Sequence, residues 1–218
     1  MHILNLSLAS TARAQQQTFY SSFLERMPCI ATEHELCYQV GQTLLCFVKS
    51  EDTLPGRYHI AFNIPENQFD EAKSWLAQYT SLLKETGGQD TFYSEHWDAD
   101  MLYFNDADGN ILELIARHSL ANTSSSAFSA ASLLNISEIG IACDDFAALA
   151  AELNQRIDAQ PYHWEGSDSF MPIGDEHGLF IVVKPGRIWF PDTGVPAWHM
   201  PISVLVEGHG RKMSFAYR

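Results

Sequence analysis

The chain has 218 residues, 46% of them hydrophobic and 12% aromatic, which suits one large domain or a medium domain with a smaller unit and excludes a disordered chain. Its 27 acids against 13 Lys and Arg give a formal charge of −14, a field that repels phosphate backbones and argues against nucleic acid as a partner. No window approaches the roughly 18 apolar residues of a membrane span, and the opening run "MHILNLSLAS" has no basic leader, so the expectation is a cytoplasmic protein with no membrane partner.

In chain order, "ILNLSLAS" reads as a strand with one face buried and "TARAQQQTFYSSFLE" as a helix anchored by Phe19 and Phe23. Strands "ELCYQV" and "TLLCFVKS" follow, joined at Gly41-Gln42 as in a hairpin. The pattern then recurs. "YHIAFNIPE" precedes a helix whose Phe69, Ala72, Leu76, Tyr79 and Leu83 form one apolar stripe, started by Asn67 and ended by Gly87-Gly88. Strands "TFYSEHW", "MLYFND" and "ILELIAR" come next.

The Ser- and Ala-rich run 119–132 has no periodicity and reads as a linker. Beyond it, "EIGIACDD" leads into a third helix with Phe146, Leu149, Leu153 and Ile157 on one face and Asp144 or Asp145 as its cap. "SFMPIG", "LFIVVK" and "ISVLVE" are strand candidates. The fold class is therefore α+β: one strand, one helix and about three strands, used three times, as paired β-α-β-β-β modules forming a cupped mixed sheet with a third module of that kind at the C-terminus. A curved unit of this kind cannot bury its concave face alone, so units must pair. The expected division is a two-unit domain at 1–118, the linker at 119–132 and an extra half-domain at 133–218 that caps the structure or completes a sheet across a homodimer.

Cys29, Cys37, Cys46 and Cys143 show no metal-finger spacing, and three of them sit in apolar runs where a cysteine behaves as a small hydrophobe. Free thiols in a reducing compartment are the expectation. "DADGNILELIAR" poses the sharper question, because Glu113 interrupts an apolar strand, and a buried carboxylate must be paired or metal-bound.

"YHIAFNIPENQFDEAKSWL" followed by "MLYFNDADGNILELIAR" resembles the second module of the vicinal oxygen chelate superfamily, which includes glyoxalases, fosfomycin-resistance transferases, extradiol dioxygenases and bleomycin-binding proteins. The resemblance implies a U-shaped sheet holding a divalent metal (Zn, Mn, Fe or Ni), with His59 and Glu113 as ligands. Laying "NLSLAS" over "HIAFNI" adds Asn5, whose amide oxygen suits a hard cation better than zinc. The third unit aligns Glu138 with His59 but Val182 with Glu113, so it is expected to be structural.

Tyr103, Trp97 and His96 are the candidate substrate contacts, the last two in a loop at the pocket mouth. The run Glu33-His34-Glu35 alternates faces and reads as a solvated edge. "HGLFIVVKPGRIWFPDTG", with Lys184 and Arg187, reads as a buried strand leaving through a turn, with an anion-binding loop as the lesser reading. Two functions stand. One is a metal-dependent enzyme of lyase, transferase or dioxygenase type acting on a small oxygen-bearing substrate. The other is a metal-free small-molecule binding protein of the bleomycin-resistance type, filling an aromatic cleft by stacking.

Overall fold

The structure is a computed structural model that describes residues 1–217. The first unit comprises β1 (His2–Ser10), α1 (Arg13–Phe23), β2 (Ile30–Ala31), β3 (Glu35–Val40) and β4 (Thr43–Lys49). The second comprises β5 (His59–Ile64), α2 (Phe69–Leu76), β6 (Phe92–Ser94), β7 (Ala99–Asn105) and β8 (Ile111–Arg117). The third has β9 (Asn135–Ala142), α3 (Phe146–Ile157), β10 (Phe170–Asp175) and β11 (Gly178–Val183). A hairpin, β12 (Ile202–Gly208) and β13 (Arg211–Tyr217), completes the described chain.

These strands form two curled sheets, ordered β13-β12-β1-β4-β3-β2 and β10-β11-β9-β5-β8-β7-β6. The division expected at 119–132 is not the division of the sheets. The second and third units share one sheet through antiparallel β5 and β9, and the first unit pairs instead with the C-terminal hairpin through antiparallel β1 and β12. Thus β12 stands to β1 as β9 stands to β5. The third unit thus pairs with the second within the chain. The Ser-rich run packs onto the second unit: Asn122 Oδ1 accepts from the Glu66 amide, and the Ser126 carbonyl accepts from Gln68 Nε2.

One face of the seven-stranded sheet, with Ile60, Phe62, Leu112, Leu114, Ile139, Phe180 and Val182, belongs to the main core, which also takes in Leu6, Leu8 and Phe47 of the other sheet. The opposite face carries a smaller cluster that includes Tyr103, Ile111, Leu179, Ile181 and Trp189. Covering both faces explains why β5, β8, β9 and β11 are buried at every residue.

The helix α3 falls where its apolar spacing places it, with the Asp145 side chain accepting from the Ala148 amide at 2.9 Å. α2 ends early. Its apolar stripe continues, but the Leu83 amide donates to the Tyr103 carbonyl at 2.7 Å, which draws that segment to the edge of β7 and out of the helix. The expected free thiols are also corrected: Cys37 and Cys46, directly opposite on β3 and β4, are joined as a disulfide, while Cys29 and Cys143 are free. Among the described residues no helix is long and apolar enough to cross a membrane.

The "DADGN" turn ties the two sheets together. Asp106 Oδ1 accepts from the amides of Asp108 and Asn110, and its Oδ2 accepts from Gln16, Tyr20 and Asn110. Asp108 accepts from Ser10 and the Ala12 amide at the start of the first helix. Gly109 takes φ +80°, a left-handed conformation open to glycine at little cost.

Candidate metal centre

Strand register sets the site. Ala61 on β5 is opposite Glu113 on β8 and Glu138 on β9, and Tyr103 on β7 is opposite Glu113. These residues form one row across the sheet, with the small Ala61 leaving space between two acids. In the next row, His59 lies beside Gly140, whose missing side chain leaves room for Trp189: a Cβ there would sit 2.5 Å from the indole Cη2.

One ligand atom each from His59, Glu113 and Glu138 lies within 4.8 Å of the others, and all three residues are buried. His59 Nε2 is 3.6 Å from Glu113 and 3.5 Å from Glu138. Those gaps are too long for hydrogen bonds and close to the roughly 3.4 Å edge of a tetrahedron with metal–ligand bonds of about 2.1 Å. The donor set of one imidazole and two carboxylates therefore fits a divalent cation.

The acids are tuned differently. Glu138 Oε1 pairs with the guanidinium of Arg117, which is fully buried, donates through Nε to Asn63 Oδ1 at 3.2 Å and lies 5.1 Å from the Trp97 ring centre. Among the described residues Glu113 has no such guanidinium partner. Burial and the neighbouring Glu138 charge raise its pKa well above 4.5, with Arg117 opposing. Burial, with Glu113 and Glu138 close by, likewise pushes the Tyr103 phenol well above its usual range, so it stays protonated as a donor. His59 Nδ1 is buried and, among the described residues, has no hydrogen-bond partner.

The cluster opens into a cavity of about 270 Å³ whose lining includes Trp97, Tyr103, Phe170, Arg187, Trp189 and Phe190. Trp189 packs 5.3 Å from the His59 ring.

Of the residues singled out from sequence, His59 and Glu113 converge, and Tyr103 and Trp97 line the cavity. Asn5 does not join them. It lies on β1 in the other sheet, paired with Leu44 and Leu205, because β1 bonds to β4 and β12 and not to β5. Its side chain accepts from Ser7 at 3.2 Å. His96 is exposed, against His163 and Glu165, outside the cavity lining. Glu138 takes the place given to Asn5. Glu138 aligns with His59 in the sequence, and the acid that the third unit lacks at Val182 is matched in this grouping by Glu113 of the second unit. Arg187, from the segment whose lesser reading is an anion-binding loop, lines the cavity, as does Trp189; Arg117, the cation that ends β8, stands against Glu138. A second grouping, Glu35 with Cys37 and Cys46, has both thiols consumed in the disulfide.

Curled sheets built from repeated β-α-β-β-β units are the fold of the vicinal oxygen chelate proteins, and this chain has that fold. A putative dioxygenase from Bacillus subtilis is similar over 99% of this chain and 84% of its own, with 11% identity and a TM-score of 0.61. A lactoylglutathione lyase from Agrobacterium tumefaciens matches 52% of this chain and 91% of its own (15% identity, TM-score 0.42). A fosfomycin resistance protein from Listeria monocytogenes, crystallised with Mn(II), matches 51% and 86% (19%, 0.40). No family model and no curated protein matches the sequence.

Proposed function

We propose that the protein is a metal-dependent enzyme in which His59, Glu113 and Glu138 hold a divalent first-row cation and a small oxygen-bearing molecule binds beside it. The observation that carries this reading is the placement of three buried ligand atoms within 4.8 Å of one another, on three adjacent central strands, at the floor of an open cavity. If both were ionised, two carboxylates this close would repel by about 3–4 kcal/mol at an effective dielectric of about 20; Arg117 offsets Glu138, and a bound cation would let Glu113 ionise beside it. A bound cation would polarise substrate oxygens and stabilise the oxyanion that develops on them.

Arg117 fixes the orientation of Glu138 and leaves its other oxygen, Oε2, facing His59. Tyr103, held protonated, can donate to a substrate oxygen on the cavity side. The aromatic walls exclude water and hold the body of the substrate. Two carboxylates to one imidazole make a harder set than the multi-histidine sites that zinc favours, which supports manganese or iron over zinc.

The test is metal content of protein purified without chelator, and its affinity for added Mn(II), in the native form and in His59→Ala, Glu113→Gln and Glu138→Gln. Stoichiometric metal lost in all three variants is expected. A metal-free native protein that ignores added Mn(II), yet binds aromatic ligands equally well in all four forms, would replace the enzyme reading with the metal-free binding protein.

A further inference from the structure

The segment following β11 folds back as a hairpin beside the cavity. The Ala197 amide donates to the Arg187 carbonyl at 2.8 Å, the Trp189 amide to the Val195 carbonyl at 3.0 Å, and Gly186 to Ala197 at 2.7 Å. Arg187 and Trp189, two residues apart, both line the cavity. Each carries an unused donor. Arg187 is half-buried, and among the described residues no carboxylate pairs with it; its guanidinium sits 5.2 Å from the Phe170 ring centre and otherwise makes only a 3.5 Å contact to the Ile188 carbonyl. Among the described residues none hydrogen-bonds the Trp189 indole N–H, which is buried in a residue only 5% exposed. In a chain with 27 acids against 13 Lys and Arg, an arginine on an aromatic cavity wall with no carboxylate partner leaves its guanidinium free to meet a ligand acceptor.

Charge points the same way. With a divalent cation facing Glu113 and Glu138, and Arg117 on Glu138, Arg187 is the charged group lining the cavity that has no carboxylate partner among the described residues. The cavity volume of about 270 Å³ suits a one-ring molecule. We propose that the ligand of this cavity is a single-ring aromatic carboxylate, its carboxylate accepting from Arg187 and the Trp189 indole while oxygens elsewhere on the molecule reach the cluster at His59, Glu113 and Glu138. The second half of this assignment rests on the metal reading; the first half does not.

The experiment keeps the two apart. Mn(II)-loaded wild type, Arg187→Met, Arg187→Lys and Trp189→Phe are titrated calorimetrically with 4-carboxybenzohydroxamate and its neutral 4-carbamoyl counterpart. Chelator-treated samples are titrated in parallel with 4-methylbenzoate and 4-methylbenzamide. Wild type prefers the carboxylate by about ten- to hundredfold, the worth of one charge-assisted hydrogen bond. Arg187→Met brings the preference to within about twofold with Mn(II) content unchanged, Arg187→Lys keeps part of it, and Trp189→Phe lowers carboxylate affinity by about three- to tenfold. Equal binding of acid and amide by wild type, or a preference that survives Arg187→Met, overturns the proposal. Failure of Mn(II) to bind removes the metal reading, and the metal-free pair of ligands then decides on anion recognition alone.

Discussion

Replacing Glu113 by glutamine in metal-free protein isolates the electrostatic cost of the cluster. The groups facing it are Glu138, Arg117, His59 and the Tyr103 phenol. Burial and Glu138 raise the folded-state pKa of Glu113 well above its reference value of 4.5. A carboxyl so raised stays protonated in the folded chain after it has ionised in the unfolded one. The folded state then binds more protons, and stability falls as pH rises through that window. Wild type therefore loses stability as pH rises above the unfolded-state value of Glu113, at a limiting slope of about 1.4 kcal/mol per pH unit, whereas Glu113→Gln lacks this dependence. Urea unfolding of both proteins with chelator, between about pH 5 and pH 7, measures the difference. Adding Mn(II) should reverse the order, because the cation stabilises the carboxylate and the variant has lost a ligand; binding at a hundred times Kd adds about 2.7 kcal/mol to wild type. Parallel stability curves across that pH range would refute the reasoning.

Arg117→Met leaves Glu138 buried beside Glu113 without its counter-ion and should cost about 3–5 kcal/mol, with adding Glu138→Gln recovering more than half; a double-mutant cycle by denaturant unfolding reads this. Gly140→Ala drives a methyl against the Trp189 indole, so stability should fall by about 1–3 kcal/mol and tryptophan emission should shift; unchanged emission would show that the indole does not lie there. Asp106→Ala removes five accepted hydrogen bonds, leaves the Gln16 and Tyr20 donors buried, and should cost about 3 kcal/mol by urea unfolding. Reducing the Cys37–Cys46 bridge, which spans nine positions, should cost about 2.5 kcal/mol, seen as a reductant-dependent unfolding midpoint that Cys37→Ala/Cys46→Ala abolishes.

Local chemistry was legible in the chain by itself. The apolar spacing of α3, its Asp145 cap, the hairpin at Gly41 and the acid set into β8 are decided by neighbours a few residues away, and each stands where the sequence placed it. The repeat was legible too, and with it the fold class. Which repeats pair was not, because β1, β5 and β9 present similar strand edges and the choice among them depends on burial summed over whole sheets. That choice moved Asn5 away from the cluster and brought Glu138 in. It also set Arg117 against Glu138 and folded the Arg187–Trp189 hairpin beside the cavity, contacts between residues far apart in the chain that no local pattern encodes.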